Sequence, residues 1–138
     1  MATRSDLLSD LDAAARNADA YCAAALSAVR AIAAPGGKVD RKKIDSEQHI
    51  VHGLGWVATY AEALRQVAAW ARRLNDAGKF GEVEALLAEI VVAEYSAQLA
   101  GGVPMTQVET IRPADFGIEA PPIAFKIDQA KKNALAAH

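Results

Sequence analysis

The chain has 138 residues, the length of one ordinary domain, and 52% of them are hydrophobic, which excludes a disordered segment. Its 15 basic and 17 acidic residues give a net charge of −2, which argues against a nucleic-acid-binding protein because such proteins need a basic face. The single cysteine permits no internal disulfide, and the longest nearly uncharged apolar stretch, residues 21 to 29, is far too short to cross a bilayer. We therefore expect a cytoplasmic protein that binds neither nucleic acid nor a membrane.

Residues 5 to 33 are predicted to form a first long helix, capped by Ser5 or Thr3. Apolar residues recur there at spacings of three and four, which marks one helical face: Leu7, Leu8, Leu11, Ala15, Ala18, Cys22, Leu26, Val29 and Ile32. Cys22 lies among alanines, and we interpret it as a small buried hydrophobe. The sequence Pro-Gly-Gly at 35–37 ends the helix.

A second long helix is predicted from Asp40 or Asp45 to Asn75, with Ser46 as an alternative cap. Its apolar face has the same helical spacing: Ile44, Val51, Leu54, Val57, Ala58, Ala61, Leu64, Ala68 and Ala71. The sequence Asn-Asp-Ala-Gly at 75–78 is a typical helix end, because glycine adopts the left-handed conformation that follows a last turn. The basic residues before this helix are interpreted as a solvated connection: Lys38, Arg41, Lys42 and Lys43.

A third helix is predicted over residues 80 to 99. Its apolar residues again follow the helical period, with one charge, Glu94, intruding: Val83, Leu86, Leu87, Ile90, Val91 and Leu99. The sequence Gly-Gly-Val-Pro at 101–104 ends this helix, because proline cannot donate a hydrogen bond and disfavours the α conformation in the residue before it.

The chain changes character after Pro104. Residues 105 to 112 are predicted to form a short helix, 113 to 122 a proline-containing loop, and 125 to 137 an amphipathic helix. Since sustained strand alternation is absent from the sequence, we predict a single all-α domain over residues 1–138. It is an antiparallel bundle of three to four long helices, with its core at about 5–100 and a loop and short C-terminal helix at 101–138.

Two histidines and two glutamates are candidates for chemistry. His49 and His52 share a helix face, but neither lies in a Glu-x-x-His pattern, and we interpret them as packing or surface hydrogen-bonding residues. Glu89 and Glu94 lie on a largely apolar helix, where a buried carboxylate has a raised pKa and can act as a base. The alternative we favour is that Glu94 pairs with an arginine of the second helix, Arg65 or Arg72.

Glycines and aromatic residues are concentrated in the second helix. Gly53 and Gly55 each weaken a helix by about 1 kcal/mol relative to alanine. They indicate either tight helix–helix packing, the reading we favour, or close approach of a ligand or another backbone. Trp56, Tyr60 and Trp70 lie on one broad side of the same helix and are typical of a core or an interface.

The end of the third helix carries the most informative pattern. Gln98 lies one turn before Gly101 and Gly102, so that the helix ends in backbone amides that a phosphate or adenosine group can approach closely. This run, Ala-Gln-Leu-Ala-Gly-Gly at 97–102 with Glu109 and Arg112 beyond it, resembles the C-terminal helical domain of flavin-dependent acyl-CoA dehydrogenases. The resemblance implies that Gln98, Gly101 and Gly102 contact the adenosine-diphosphate part of FAD, usually that of a neighbouring subunit.

A wider stretch resembles, more narrowly, the N-terminal helical extension of one bacterial branch of that family, the methylsuccinyl-CoA dehydrogenases. It comprises Glu-Gln-His at 47–49, Gly-Leu at 53–54 and the run Trp-Val-Ala-Thr-Tyr-Ala-Glu-Ala-Leu-Arg-Gln at 56–66. The similarity covers about residues 5 to 116 and is strongest from Glu47 to Arg112. It implies a parent reaction in which a glutamate base and hydride transfer to FAD dehydrogenate an acyl-CoA thioester.

Departures from the family limit what this chain can do. Val103 and Pro104 stand where the family continues Gly-Gly with an aromatic residue and another glycine. The family's glutamate base lies in an aromatic-Glu-Gly-Thr turn, for which this chain offers only Gly-Ile-Glu-Ala at 117–120. The family's flavin-holding parts do not fit within this length. We therefore expect no catalytic residues and no metal, and no cofactor held by this chain alone.

The leading hypothesis is an accessory helical domain of an FAD-dependent acyl-CoA dehydrogenase, which covers the catalytic core or forms the subunit interface. Its expected partners are the catalytic body and a second copy in a homodimer, with Trp56, Tyr60 or Trp70 as anchors. One alternative is a stand-alone helical interaction or dimerisation protein. Another is a small enzyme that uses Glu94 or His52 in a cleft of the bundle.

Overall fold

A computed structural model describes residues 3–119, which fold mainly into helices. Within this range there are four α-helices, a two-stranded antiparallel hairpin and two 3-10 turns: α1 Arg4–Ala33, α2 Arg41–Ser46, α3 Gln48–Asp76, α4 Glu82–Gly101, β1 Val103–Pro104, β2 Thr110–Ile111, and the turns Pro35–Gly37 and Pro113–Phe116. The predicted all-α bundle is confirmed. The helix predicted at 125–137 lies outside the described residues.

The start of α1 is determined by local hydrogen bonds. The Thr3 hydroxyl accepts from the amide of Asp6 at 3.2 Å, while the Asp6 carboxylate accepts from the amide of Thr3 at 2.8 Å. This reciprocal capping box satisfies two amides that the helix itself leaves without partners. The hydrogen bonds to Thr3 also lower the pKa of Asp6, because they favour its charged form. Thr3, and not Ser5, is therefore the cap.

The most extensive helix–helix packing in the bundle is between α1 and α3, which run antiparallel. Asp12 pairs with Arg72, while Asp19, further along α1, pairs with Arg65, earlier in α3, at 2.7 Å. The two helices approach closely because their facing sides are rich in alanine, with leucine and valine between: Leu11, Ala14, Ala15, Ala18 and Ala25 of α1, and Val57, Ala61, Leu64, Ala68 and Ala71 of α3. Exposed ion pairs stabilise by only about 0.2–1 kcal/mol each, so apolar packing provides most of the stability.

The buried face of α1 differs from the predicted one near its end. Tyr21, Ala25 and Ala33 are buried there, whereas Leu26 and Ile32 are more than one-third exposed and Cys22 is half-buried. The Tyr21 ring packs edge-on against Phe116 of the second 3-10 turn, with centroids 6.2 Å apart. This long-range contact contributes to the burial of Tyr21, and spacing within α1 cannot reveal it.

The predicted second helix is divided in two at Glu47, whose backbone is non-helical (φ −116°, ψ 34°). Asp40 caps α2, since its carboxylate accepts from the amides of Lys42 and Lys43. The Ser46 hydroxyl donates to the carbonyl of Lys43 at 3.1 Å, a contact that bends helices and favours a break at this point. The predicted end of the helix is confirmed by Gly78, which has a φ of +68°.

α4 runs antiparallel to α3, as two aromatic contacts show. Tyr95 stacks on Tyr60, and Phe80, before α4, packs edge-on against Trp70. The apolar face predicted for this helix is wrong: Val83 and Leu87 are 64% and 51% exposed. Of the predicted residues Leu99 is buried, and the rest of the side that α4 turns to the core is Ala88, Glu89, Val92 and Ser96. The periodicity fails because α4 is apolar around nearly its whole circumference. None of the helices within residues 3–119 is long and apolar enough to cross a membrane.

Residues 105–112, predicted as a helix, form most of a β-hairpin. Val103 lies opposite Ile111, and the amide of Met105 donates to the carbonyl of Glu109 at 2.8 Å. The Thr106 hydroxyl accepts from the amides of Val108 and Glu109, so both amide donors are satisfied by a turn and not by a helix. Val103 and Ile111 are almost completely buried, and their burial stabilises the extended conformation.

Tyr21 makes folding sensitive to alkaline pH. Burial, with a smaller contribution from the charge of Asp115, raises the pKa of Tyr21 to about 12. Between pH 10 and 12 the unfolded chain therefore loses this proton while the folded chain keeps it. Stability from this group is complete below pH 10, and about 2–3 kcal/mol is lost as the pH rises to 12.

Urea unfolding of the wild type and Tyr21→Phe between pH 9 and 11.5 tests this dependence. The wild type should lose stability more steeply than the variant above pH 10, because the variant has no proton to release. Equal slopes for the two proteins would contradict the assignment to Tyr21.

Candidate functional site

The turn predicted to contact FAD lies at the end of α4. The amide of Gly102 donates to the carbonyl of Gln98 at 2.7 Å, and the glycine has a φ of +139°. A Cβ atom at Gly102 would lie 2.6 Å from Cγ2 of Thr110 and 3.2 Å from Cγ of Arg112. The close approach for which this glycine is required is therefore made by the chain's own second strand. Gly101 is exposed, with open space around its Cα.

The side chain of Gln98 points toward α3. Its Oε1 accepts a hydrogen bond of 2.6 Å from the hydroxyl of Tyr60, and the Tyr60 ring stacks on Tyr95 with centroids 4.5 Å apart. Burial, followed by the effects of Tyr95 and Glu94, raises the pKa of Tyr60 above its ordinary value. The sequence shows each residue but not this pair, because 38 positions separate them.

The aromatic contacts continue along α3 to a histidine. Trp56 packs edge-on against Tyr60 at 6.4 Å, and its indole Nε1 donates to Nε2 of His52 at 3.0 Å. The indole offers only an N–H donor, so His52 is the acceptor in this contact. The interpretation of His52 as a hydrogen-bonding surface residue agrees with this contact, and the predicted interface anchors Trp56 and Tyr60 are half-buried against neighbours in the chain.

His49 lies between two carboxylates of the segment after α4. Its Nδ1 is 3.7 Å from Oε1 of Glu109, and its Nε2 is 3.6 Å from Oδ2 of Asp115. These distances allow charge attraction when the ring is protonated but exceed those of good hydrogen bonds. Within residues 3–119 no group of three or more His, Cys, Asp or Glu side chains is arranged to hold a metal ion. The expected absence of a metal from the protein stays a prediction.

The predicted pairing of Glu94 is wrong. Glu94 is exposed on α4, while Arg65 pairs with Asp19 and Glu62, and Arg72 pairs with Asp12. The arginines are drawn to α1 because that helix presents aspartates along the side facing α3. Glu89 is the buried glutamate of α4, at 8% exposure. The sequence identified a partly buried carboxylate on this helix but gave no means of choosing between the two.

Cys22 and Gly53 have structural roles. Burial, followed by the charge of Asp19, raises the pKa of the Cys22 thiol, which disfavours the reactive thiolate. A Cβ atom at Gly53 would lie 2.4 Å from Cγ1 of Ile111. The packing at Gly53 is therefore tight, but the prediction of helix–helix packing is wrong, because the neighbour is β2. A Cβ atom built on Gly55 would have no neighbour within 4 Å among the described residues.

The turn does not fit a phosphate or adenosine group by itself. Oε1 of Gln98 and the amide of Gly102 are both used within the chain, and a helix C-terminus presents carbonyl groups that repel an anion. Gln98, Gly101 and Gly102 alone do not provide the groups for a catalytic reaction. The arrangement can position the hairpin against α3 and leaves the outer side of Gly101 free for a neighbouring surface.

The helical bundle and its Gln-x-x-Gly-Gly turn are the features by which the chain resembles the helical domains of acyl-CoA dehydrogenase-type flavoenzymes. Over 114 residues, which are 83% of its length, the chain is 46% identical to the (2S)-methylsuccinyl-CoA dehydrogenase of Cereibacter sphaeroides. The resemblance to this branch is therefore confirmed. The aligned part is 21% of that enzyme, so the chain spans about a fifth of the length of this relative. No known protein-family signature matches the chain.

Proposed function

We propose that the chain acts as an accessory, non-catalytic helical domain of an FAD-dependent acyl-CoA dehydrogenase of the methylsuccinyl-CoA dehydrogenase type. The observation that supports this most strongly is the 46% identity to a segment comprising one-fifth of such an enzyme. The domain covers the catalytic core or forms the subunit interface. Its partner is the flavin-binding catalytic body, which carries the glutamate base and the FAD.

The geometry of the turn supports a role without chemistry. Gln98 and Gly102 make their hydrogen bonds within the chain, and the Glu119 region lacks the family's aromatic-Glu-Gly-Thr pattern. On this proposal the chain alone holds no FAD, and Gln98, Gly101 and Gly102 maintain the end of α4 against the hairpin. Any contact of this turn with FAD belongs to the assembled enzyme.

A second candidate function is self-association as a stand-alone interaction protein. It is favoured by the exposure of large apolar residues on α4, since exposed apolar patches mark interfaces. The expected homodimer stays a prediction, and sedimentation equilibrium of the purified chain tests it. The predicted anchors Trp70 and Tyr60 also have partners within the chain, since Trp70 packs on Phe80 and Tyr60 on Tyr95.

The proposed function is tested with three forms of the C. sphaeroides enzyme: intact, lacking the segment homologous to this chain, and with that segment replaced by this chain. Dehydrogenase activity, FAD content and assembly size are measured for each. The deletion should lower activity at least tenfold, and the replacement should restore most of it. A replaced enzyme no more active than the deleted form would refute the accessory role.

A further inference from the structure

Within residues 3–119, α4 is covered on one side and exposed on the other. Its covered side is the set Ala88, Glu89, Val92, Ser96 and Leu99. The opposite side, which we call the outer face of α4, consists of exposed residues at helical spacing: Val83, Leu86, Leu87, Ile90, Glu94, Ala97 and Gly101. A helix that is apolar all round is normally buried on every side, so this face requires a partner.

The large apolar residues of this face are concentrated in two turns. Val83, Leu86, Leu87 and Ile90 are 64%, 38%, 51% and 38% exposed. The last part of the face, Ala97 and Gly101, has almost no side chain, and nothing described lies within 4 Å of a Cβ atom built on Gly101. A neighbouring backbone can therefore approach α4 closely at the same end that carries the Gln-x-x-Gly-Gly turn.

Charge distinguishes between possible occupants of this face. α4 contains the four glutamates Glu82, Glu84, Glu89 and Glu94 and no lysine or arginine. Glu94 lies on the outer face itself, so that a partner which buries the face needs a cation opposite it. A second copy of α4 offers none, which disfavours a symmetric pairing of two outer faces.

We propose that the outer face of α4 is the surface by which this domain docks on the flavoprotein body. The matching surface of the body is apolar, approaches closely over Ala97 and Gly101, and carries a lysine or arginine opposite Glu94. The inference rests on the proposed function and adds to it the face and the chemistry of the partner. It replaces the aromatic residues of α3 as the centre of the interface.

Hydroxyl-radical footprinting of the isolated chain and of the replaced enzyme tests the proposal. Oxidation of Val83, Leu87 and Ile90 should fall several-fold in the replaced enzyme. Val39 and Val108, which are 67% and 93% exposed and lie off the outer face, serve as controls and should react equally in both. Equal oxidation of the α4 residues in an assembled, active enzyme would overturn the docking face while leaving the proposed function intact.

Substitutions in the replaced enzyme give an independent measure. Leu87→Lys should lower activity at least tenfold and reduce assembly, whereas Val39→Lys should change neither. Glu94→Lys should weaken assembly more than Asp45→Lys, the same charge change at an exposed position on α2. Equal behaviour of each pair would overturn the proposal.

Footprinting of the isolated chain at several protein concentrations tests for other partners that could cover the outer face of α4. Protection of α4 that rises with protein concentration would identify a second copy, and protection independent of concentration would identify another part of this chain. Either result would overturn docking on the body by this face. A replaced enzyme that never assembles would refute the proposed function and the docking face with it.

Discussion

Leu64→Ala should destabilise the protein by about 2–5 kcal/mol. Leu64 is completely buried where α3 packs on α1, and its truncation removes apolar contacts and leaves a cavity that two long helices cannot easily close. Because domains of this size are stable by only about 5–15 kcal/mol, a loss of this size is readily measured by urea unfolding.

Leu87→Ala is the matched control for this substitution. The chemical change is the same, but Leu87 is half-exposed on the outer face of α4, so the isolated chain should lose less than about 1 kcal/mol. Equal losses for the two variants would mean that α4 is covered on both sides in the isolated chain.

Gly53→Ala should destabilise the protein by about 1–3 kcal/mol, although alanine is the better helix former. The added methyl group would lie 2.4 Å from Cγ1 of Ile111, which is itself 1% exposed and cannot move into solvent. Gly55→Ala, two residues along the same helix, meets nothing within 4 Å and should stabilise the protein by about 0.5–1 kcal/mol.

A double-mutant cycle verifies the cause of the Gly53 effect. Gly53→Ala combined with Ile111→Ala should cost less than the sum of the two single changes, because the second removes most of the atoms in conflict. Additive costs, or a destabilising Gly55→Ala, would contradict the packing of β2 on α3.

The helices that could be predicted from the sequence are those with a clear apolar period and clear end signals. α1 and α3 meet both conditions, and their ends lie close to the predicted residues at Thr3 and Gly78. The position of α4 agrees with the prediction, but four of its predicted core residues, Val83, Leu86, Leu87 and Ile90, are exposed. A helix with apolar residues on every side gives no indication of which side is buried. The hairpin was missed because its stability depends on the burial of Val103 and Ile111 against distant elements.

The candidate site shows the same limit. The Gln-x-x-Gly-Gly pattern correctly marked the end of α4, and Gly53 was recognised as a position of close packing. The partners of these residues were not predictable: Tyr60 for Gln98, Ile111 for Gly53, and two carboxylates for His49. Each partner is brought in by the antiparallel return of the chain or by the hairpin, and periodicity within one helix contains no information about either.

If this chain is a domain of a flavoenzyme, it should bind in trans to the body of such an enzyme. The purified chain is titrated by calorimetry into the C. sphaeroides enzyme that lacks the homologous segment, after absorbance has verified that this form retains FAD. We expect saturable binding of one chain per subunit of the body. The absence of binding to a folded, FAD-containing body would contradict it.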